Sequence, residues 1–290
     1  MEFKEYQQRA AETDQKAGED LESIAVHLLG LAGEAGSVAE AYKKKLRDRD
    51  AHGTWKIQLR EELGDVLWYV AAVARKVDLD LDDIARANLD KTRNRWLRSS
   101  VDQLDKAFLP AERLPRSGRY DFVSGVSSTG RDQITVFLDG VPIGDRLTDA
   151  SHIDDGYRFH DVFHLAYAVT LGWSPVTRAL LGRKRRSVPH IDENEDGGRA
   201  IVIEEAIAAL AFAYGAMHSH LDGVQRLDQG LLDTITMVSG ALEVGTRTAA
   251  DWEHAILAGH DMFRHLVAHN GGSVEFDAAQ SCLTFTRPTR

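Results

Sequence analysis

Glu61-Glu62-Leu63-Gly64-Asp65-Val66 lies in a segment, Trp55 to Val77, whose apolar residues recur at helical spacing: Leu63, Val66, Leu67, Val70, Val73 and Ala74. That stripe predicts an amphipathic helix with one wide apolar face. A separation of three residues puts Glu62 and Asp65 on the same helix face, one turn apart. Two carboxylates this close repel each other. A divalent cation removes the repulsion, and a hard cation takes oxygen ligands. Magnesium held by one or two carboxylates completes its shell with water and substrate phosphates, so phosphate chemistry is the first expectation.

Working outward, residues 3 to about 97 read as helix nearly throughout, with no proline before Pro110. A first helix is expected from Phe3 to Lys16, ended by Gly18, and a second from about Leu21 to Leu46. Asp48 to Gly53 is a polar break before the third helix. Asp80 or Asp82 can cap a fourth that reaches Trp96. Short connections imply antiparallel neighbours and hence an all-α bundle. Residues 99–120, with Pro110, Pro115 and Gly118, read as a linker. Residues 121–290 read as a mostly helical α+β domain. A hairpin is expected over Gln133 to Ile143, turning at Asp139-Gly140. Helices follow at about 155–172, 198–221, 228–243 and 249–269, then strands at Ser273 to Phe276 and Cys282 to Thr286. The expected class is therefore mainly α, a helical bundle followed by a helical domain with short hairpins.

Composition narrows the function. The 290 residues carry a formal net charge of -10, which disfavours nucleic acid and anionic membranes as partners. No apolar stretch approaches the ~18 residues that a membrane span needs. The single cysteine, Cys282, permits no intrachain disulfide, and the N-terminal residues carry no apolar signal region. Cytoplasm is the expected compartment.

Four runs in the first hundred residues resemble the MazG-like nucleoside triphosphate pyrophosphohydrolases. They are Glu5-Tyr6-Gln7 with Ala10 and Thr13, Gly30 to Glu34, Glu62-Leu63-Gly64-Asp65, and Asn88 with Lys91 and Arg95. The resemblance covers residues 3–97 and is specific because the order and spacing of all four match. It implies an all-α fold, assembly as a homodimer or higher oligomer, and magnesium, with manganese as the alternative, bound by acids on two helices. It also implies cleavage of a nucleoside triphosphate between the α and β phosphates. Glu34, Glu62 and Asp65 match metal ligands. Asn88, Lys91 and Arg95 match the polar face that meets the phosphates, and their i, i+3, i+7 spacing agrees; Lys91 and Arg95, as cations near a helix C-terminus, also suit the helix dipole. Glu61 or Glu34 is the candidate base. One departure is plain: the family pattern has a second acid where this chain has Ser37. Glu40 does not replace it, lying about 240° round the helix from Glu34. A nucleotide-binding module without turnover is the competing reading.

The second half carries its own candidates. His160-Asp161-Val162-Phe163-His164 places two imidazoles at i and i+4, a spacing that suits a transition metal, with Glu204 or Glu205 as a carboxylate from a later helix. The glutamate of a zinc-protease HExxH motif is absent. The apolar flanks Phe159, Val162, Phe163, Leu165 and Tyr167 favour instead a histidine pair belonging to the core. The run Gly182 to Ser187 reads as solvated basic surface.

Overall fold

The computed structural model describes residues 1–16, 18–51, 53–99 and 103–288. The chain divides into two compact units, Met1–Arg93 and Asn94–Arg290.

In the first unit α1 (Phe3–Ala11), α2 (Leu21–Asp48), α3 (Trp55–Lys76) and α4 (Leu81–Trp96) form the expected helical arrangement, α4 passing into the second unit over its last residues. Helix α1 stops five residues before the expected end at Lys16. The reason is Asp14, whose buried carboxylate turns inward to Arg75 and to Lys76 Nζ at 3.3 Å, and accepts from His27 Nε2 at 3.1 Å. Lys76 Nζ also donates to the Gly18 carbonyl and to Ser23 Oγ, each at 2.8 Å, so this polar knot fastens the α1–α2 connection to α3. Asp20 caps α2 by accepting from Ser23 N at 2.9 Å. Asp80 accepts from Asp82 N at 2.8 Å at the start of α4. Helices α2 and α3 pack closely because Gly30 has no side chain; a Cβ there would fall 2.3 Å from Tyr69 Cε1. The buried core is small, made of Ala10, Ala71, Ala74 and Leu81 with Tyr6, Trp68 and Val70 against it. Leu28, Leu29, Tyr42, Leu46, Ile57 and Leu63 stay exposed.

The second unit is built on an antiparallel sheet of order β3-β2-β1-β4-β5, comprising β1 (Ser117–Val126), β2 (Asp132–Leu138), β3 (Val141–Leu147), β4 (Gly272–Asp277) and β5 (Cys282–Thr286). The β2–β3 hairpin turns where expected. Asp139 and Gly140 both have positive φ, 48° and 81°, as a two-residue type I′ turn requires. Strand β1 alternates, burying Tyr120 and Phe122, and Phe122 pairs with Val136. Helices α5 (Asp161–Thr170), α6 (Pro175–Leu180), α7 (Pro189–Asn194), α8 (Gly198–Met217), α9 (Gln229–Ser239) and α10 (Ala249–His269) complete the unit. Every residue of α5 is buried, so it is the central helix of the core. Phe163 packs on Phe263 of α10 with ring centroids 5.4 Å apart. A capping box of Thr248 and Asp251 starts α10, and Asn270 ends it in the left-handed conformation.

Three expectations are corrected. Residues 103–116, read as linker, are built into the second unit; 100–102 lie outside the described residues. Asp105 is fully buried, accepting from Leu114 N at 2.7 Å, from Arg178 Nη2 at 2.8 Å and from Arg116. The run Gly182 to Ser187 is not all surface: Arg185 is fully buried, paired with Asp196 at 2.7 Å and Glu243 at 2.7 Å, and stacked over Phe108. Third, the helical segment Pro189–Met217 is long and apolar enough, by length and composition, to cross a membrane. One face of it packs inward through Ala200, Ile207, Ala208 and Ala211, with Glu204 buried beside them, while Val202, Leu210 and Met217 stay exposed.

Candidate active site

Glu34 comes from the middle of α2 and Glu62 and Asp65 from α3, and the antiparallel pairing of these helices brings the three together. One carboxylate oxygen from each lies within 4.8 Å of the others. Glu34 and Glu62 are half-buried and Asp65 is exposed. The mutual repulsion shows at Glu34. Its carboxyl is raised above the usual range by partial desolvation, by the charges of Asp65 and Glu62, and by a hydrogen bond with Glu62. Tyr6 joins the neighbourhood: its hydroxyl is raised by desolvation and by the Asp65 charge. Tyr6 stands in the first matched run, yet nothing in the sequence marks it as facing the acids. Three clustered carboxylates that repel one another are the donor set a hard divalent cation takes, so these residues fit such an ion.

Glu61 is exposed, next to Glu62 and outside the three-acid cluster. Ser37 lies one turn beyond Glu34 on α2 and is half-buried. Glu40 pairs with Lys44 at 3.2 Å, in keeping with its place on another face. Asn88 and Lys91 are exposed on α4. Arg95 departs from the expectation. Its guanidinium donates to Glu253 Oε2 at 3.1 Å and to the Leu227 carbonyl at 3.0 Å, so it is a structural member of the second unit. The i, i+3, i+7 spacing could not disclose this, because Glu253 is 158 residues away.

The second unit gathers the other candidates. His160, Asp161 and His164 each offer a ligand atom within 4.8 Å of the others. Glu204 and Glu205 of α8 both approach His164, at 2.9 Å to Nδ1 and 3.5 Å to Nε2. Burial opposes charge on the His164 ring, but the adjacent Glu204, with help from Glu205, pushes its pKa up to about 10. His265 stacks on Phe285, and His269 packs against the same ring at a tilt.

A helical unit with acids converging from two neighbouring helices has the donor set of a divalent-cation site. The chain belongs to the MazG family: residues 22–97 match the MazG nucleotide pyrophosphohydrolase domain and residues 99–289 match the MazG C-terminal domain. It is 39% identical to the Gene 37 protein of Mycobacterium phage L5 over 85 residues, 29% of this chain and 75% of that protein. It is 33% identical to dCTP pyrophosphatase 1 of Bos taurus and 34% identical to that of Mus musculus, each over 73 residues. Those matches cover 24% of this chain and 43% of each mammalian protein, so the chain spans under half the length of these two relatives. No solved structure matches.

Proposed function

We propose that the first unit hydrolyses a nucleoside triphosphate to the monophosphate and pyrophosphate. The observation that carries this reading is the convergence of Glu34, Glu62 and Asp65 to within 4.8 Å. It is supported by the match to the pyrophosphohydrolase domain and by the likeness to two dCTP pyrophosphatases.

Glu34, Glu62 and Asp65 would hold the divalent cation, magnesium with manganese as the substitute. When bound, the cation offsets the charge of these carboxylates and of the triphosphate, and activates water as a nucleophile. Glu61 or Glu34 would serve as the base that takes the proton of the attacking water. The new bond joins the water oxygen to the α-phosphorus. The bond that breaks links that phosphorus to the α–β bridging oxygen, which leaves with its electron pair as part of pyrophosphate. Asn88 and Lys91 are the α4 side chains offered to the phosphates, Arg95 being committed elsewhere. The exposed leucines and Ile57 of α2 and α3 make a homodimer the expected working form, because so small a buried core leaves apolar surface to cover. A small soluble substrate, with no nucleic acid or membrane partner, fits the acidic net charge, and cytoplasm remains the proposed compartment.

Ser37 in place of a fourth acid favours a second reading, a module that binds nucleotide without turnover. Nucleotides incubated with magnesium and assayed for pyrophosphate separate the two. Release of pyrophosphate by the protein, lost in Glu62→Gln and Asp65→Asn, supports the enzyme. Saturable binding with no release supports the module.

A further inference from the structure

The second unit holds a constellation that the nucleotide site does not use. His160 and Asp161 stand at the start of α5, and His164 follows one turn later. On both imidazoles the Nδ1 position is already engaged with an acceptor. His160 Nδ1 meets the Tyr157 carbonyl at 2.9 Å, and His164 Nδ1 meets Glu204 Oε1 at 2.9 Å. Each contact puts a proton on Nδ1, so Nε2 is the nitrogen that can face a metal; on His164 a metal there would displace the proton that Glu204 and Glu205 favour on that ring. His164 Nε2 is buried, in a residue only 1% exposed, and the acceptor it faces, Glu205 Oε2, lies at 3.5 Å, a long contact for a hydrogen bond. A buried imidazole nitrogen aimed at ligand-type atoms, with only so long a contact to a carboxylate, has room for a closer partner.

Those other atoms are close. Glu205 Oε2 lies 3.5 Å from His164 Nε2, and Asp161 Oδ1 lies 3.6 Å from His160 Nε2. One ligand atom each from His160, Asp161 and His164 falls within a 4.8 Å span. Ligands about 2.1 Å from a tetrahedral ion stand roughly 3.4 Å apart, so these three lie near the spacing one ion needs, and Glu205, outside that group, would join by rotation of its partly exposed side chain. The supports are rigid. Glu204 is fully buried and fixed by Ser174 Oγ at 2.7 Å and Val176 N at 2.8 Å. The Tyr157 ring stacks flat on His160, with centroids 4.4 Å apart and planes 1° from parallel. A carboxylate behind one imidazole and a carbonyl behind the other is the outer shell that orients metal-bound histidines.

We propose that the second unit carries its own divalent transition-metal site, formed by His160 Nε2, His164 Nε2, Asp161 and Glu205, with Glu204 as the positioning residue behind His164. Two imidazoles with two carboxylates select a borderline ion of the zinc class over magnesium. The all-oxygen set of Glu34, Glu62 and Asp65 has the opposite preference. Glu205 is the exposed member, its side chain 43% accessible, and it marks the solvent side where a water or small ligand completes the shell.

The test uses full-length protein stripped with a chelator and titrated with zinc alone, in excess magnesium to satisfy the acidic cluster. The expected result is one zinc per chain by elemental analysis, with the same stoichiometry in Glu62→Gln. Cobalt substituted for zinc should show the visible absorption of a low-coordinate ion. Glu205→Gln and His160→Gln, at positions that reach solvent, should weaken zinc at least ~10-fold while circular dichroism stays unchanged. His164→Ala is the stronger change but risks the fold, so these two variants carry the decision. Failure to retain zinc, or zinc binding that persists in His160→Gln and Glu205→Gln and disappears in Glu62→Gln, overturns the proposal. His164 would then be an imidazolium held between Glu204 and Glu205.

Discussion

Asp105→Asn probes a part of the chain that composition alone marks as a linker. Asp105 is fully buried and faces three donors: Leu114 N at 2.7 Å, Arg178 Nη2 at 2.8 Å, and Arg116. Beyond Arg178, which is 1% exposed, the cluster continues through Asp196 to Arg185 and Glu243. Asp105, Asp196 and Glu243 thus balance Arg116, Arg178 and Arg185. Removing the Asp105 charge leaves Arg178 with Asp196 at 3.5 Å as its remaining acid, and Arg185 already holds that carboxylate at 2.7 Å. Breaking a buried pair by deleting one partner costs about 3–5 kcal/mol. Asparagine keeps an oxygen for Leu114 N, and Arg116, 35% exposed, can turn to water, so the lower end, about 3 kcal/mol, applies. For a unit of this size each kcal/mol moves Tm by about 2–4 °C, which gives a fall of roughly 6–12 °C. Scanning calorimetry reads it directly. A fall of less than about 2 °C would refute the reasoning and return residues 103–116 to the status of a tether.

The remaining predictions concern acid stability, the metal shell and assembly. Burial of His260, aided by the charges of His220 and Arg264 and opposed by its hydrogen bond to the Ile256 carbonyl, lowers its pKa to about 4. The unfolded chain therefore binds the extra proton between about pH 6.5 and 4, so stability is full above that window and falls through it as acid is added, by about 3 kcal/mol. His260→Gln should flatten this part of a pH–stability curve, and an unchanged slope would remove His260 as its cause. Ser37→Glu supplies the acid missing one turn from Glu34 and should lower the magnesium concentration that half-saturates turnover; an identical titration would put position 37 outside the metal shell. Light scattering at micromolar concentration should give at least twice the chain mass of 32.1 kDa, and a monomer mass would contradict the reading of the exposed α2–α3 surface.

The helical half was legible because its signal is periodic and local. The stripe from Leu63 to Ala74 defines α3, and the Glu62–Asp65 spacing survives into three dimensions unchanged. The Asp139-Gly140 turn was equally legible, since only a few residue types tolerate two successive positive φ values. What escaped is non-local. Arg185 and Asp196 flank α7 in two runs that look solvated, and nothing in their composition shows that one guanidinium and one carboxylate are pulled into the core. Asp105 and Arg178, 73 residues apart, meet only when the sheet and α6 are assembled. Arg95 illustrates the same limit at the candidate site: its helical spacing fits a phosphate-facing surface, while a distant glutamate claims it. At His160 and His164 the apolar flanks correctly indicated burial. Burial and metal binding are not alternatives once both Nδ1 positions are engaged and His164 Nε2 has only a long contact to Glu205.

Glu34, Glu62 and Asp65 are proposed to support pyrophosphohydrolysis of a nucleoside triphosphate. The most direct measurement incubates the protein with a panel of canonical and modified nucleoside triphosphates, with and without magnesium, and resolves the products by ion-exchange chromatography. Monophosphate and pyrophosphate are expected in equal amounts from at least one nucleotide, only with the divalent cation, and none from Glu62→Gln or Asp65→Asn. Orthophosphate and diphosphate as products, or undiminished turnover in both variants, would contradict it.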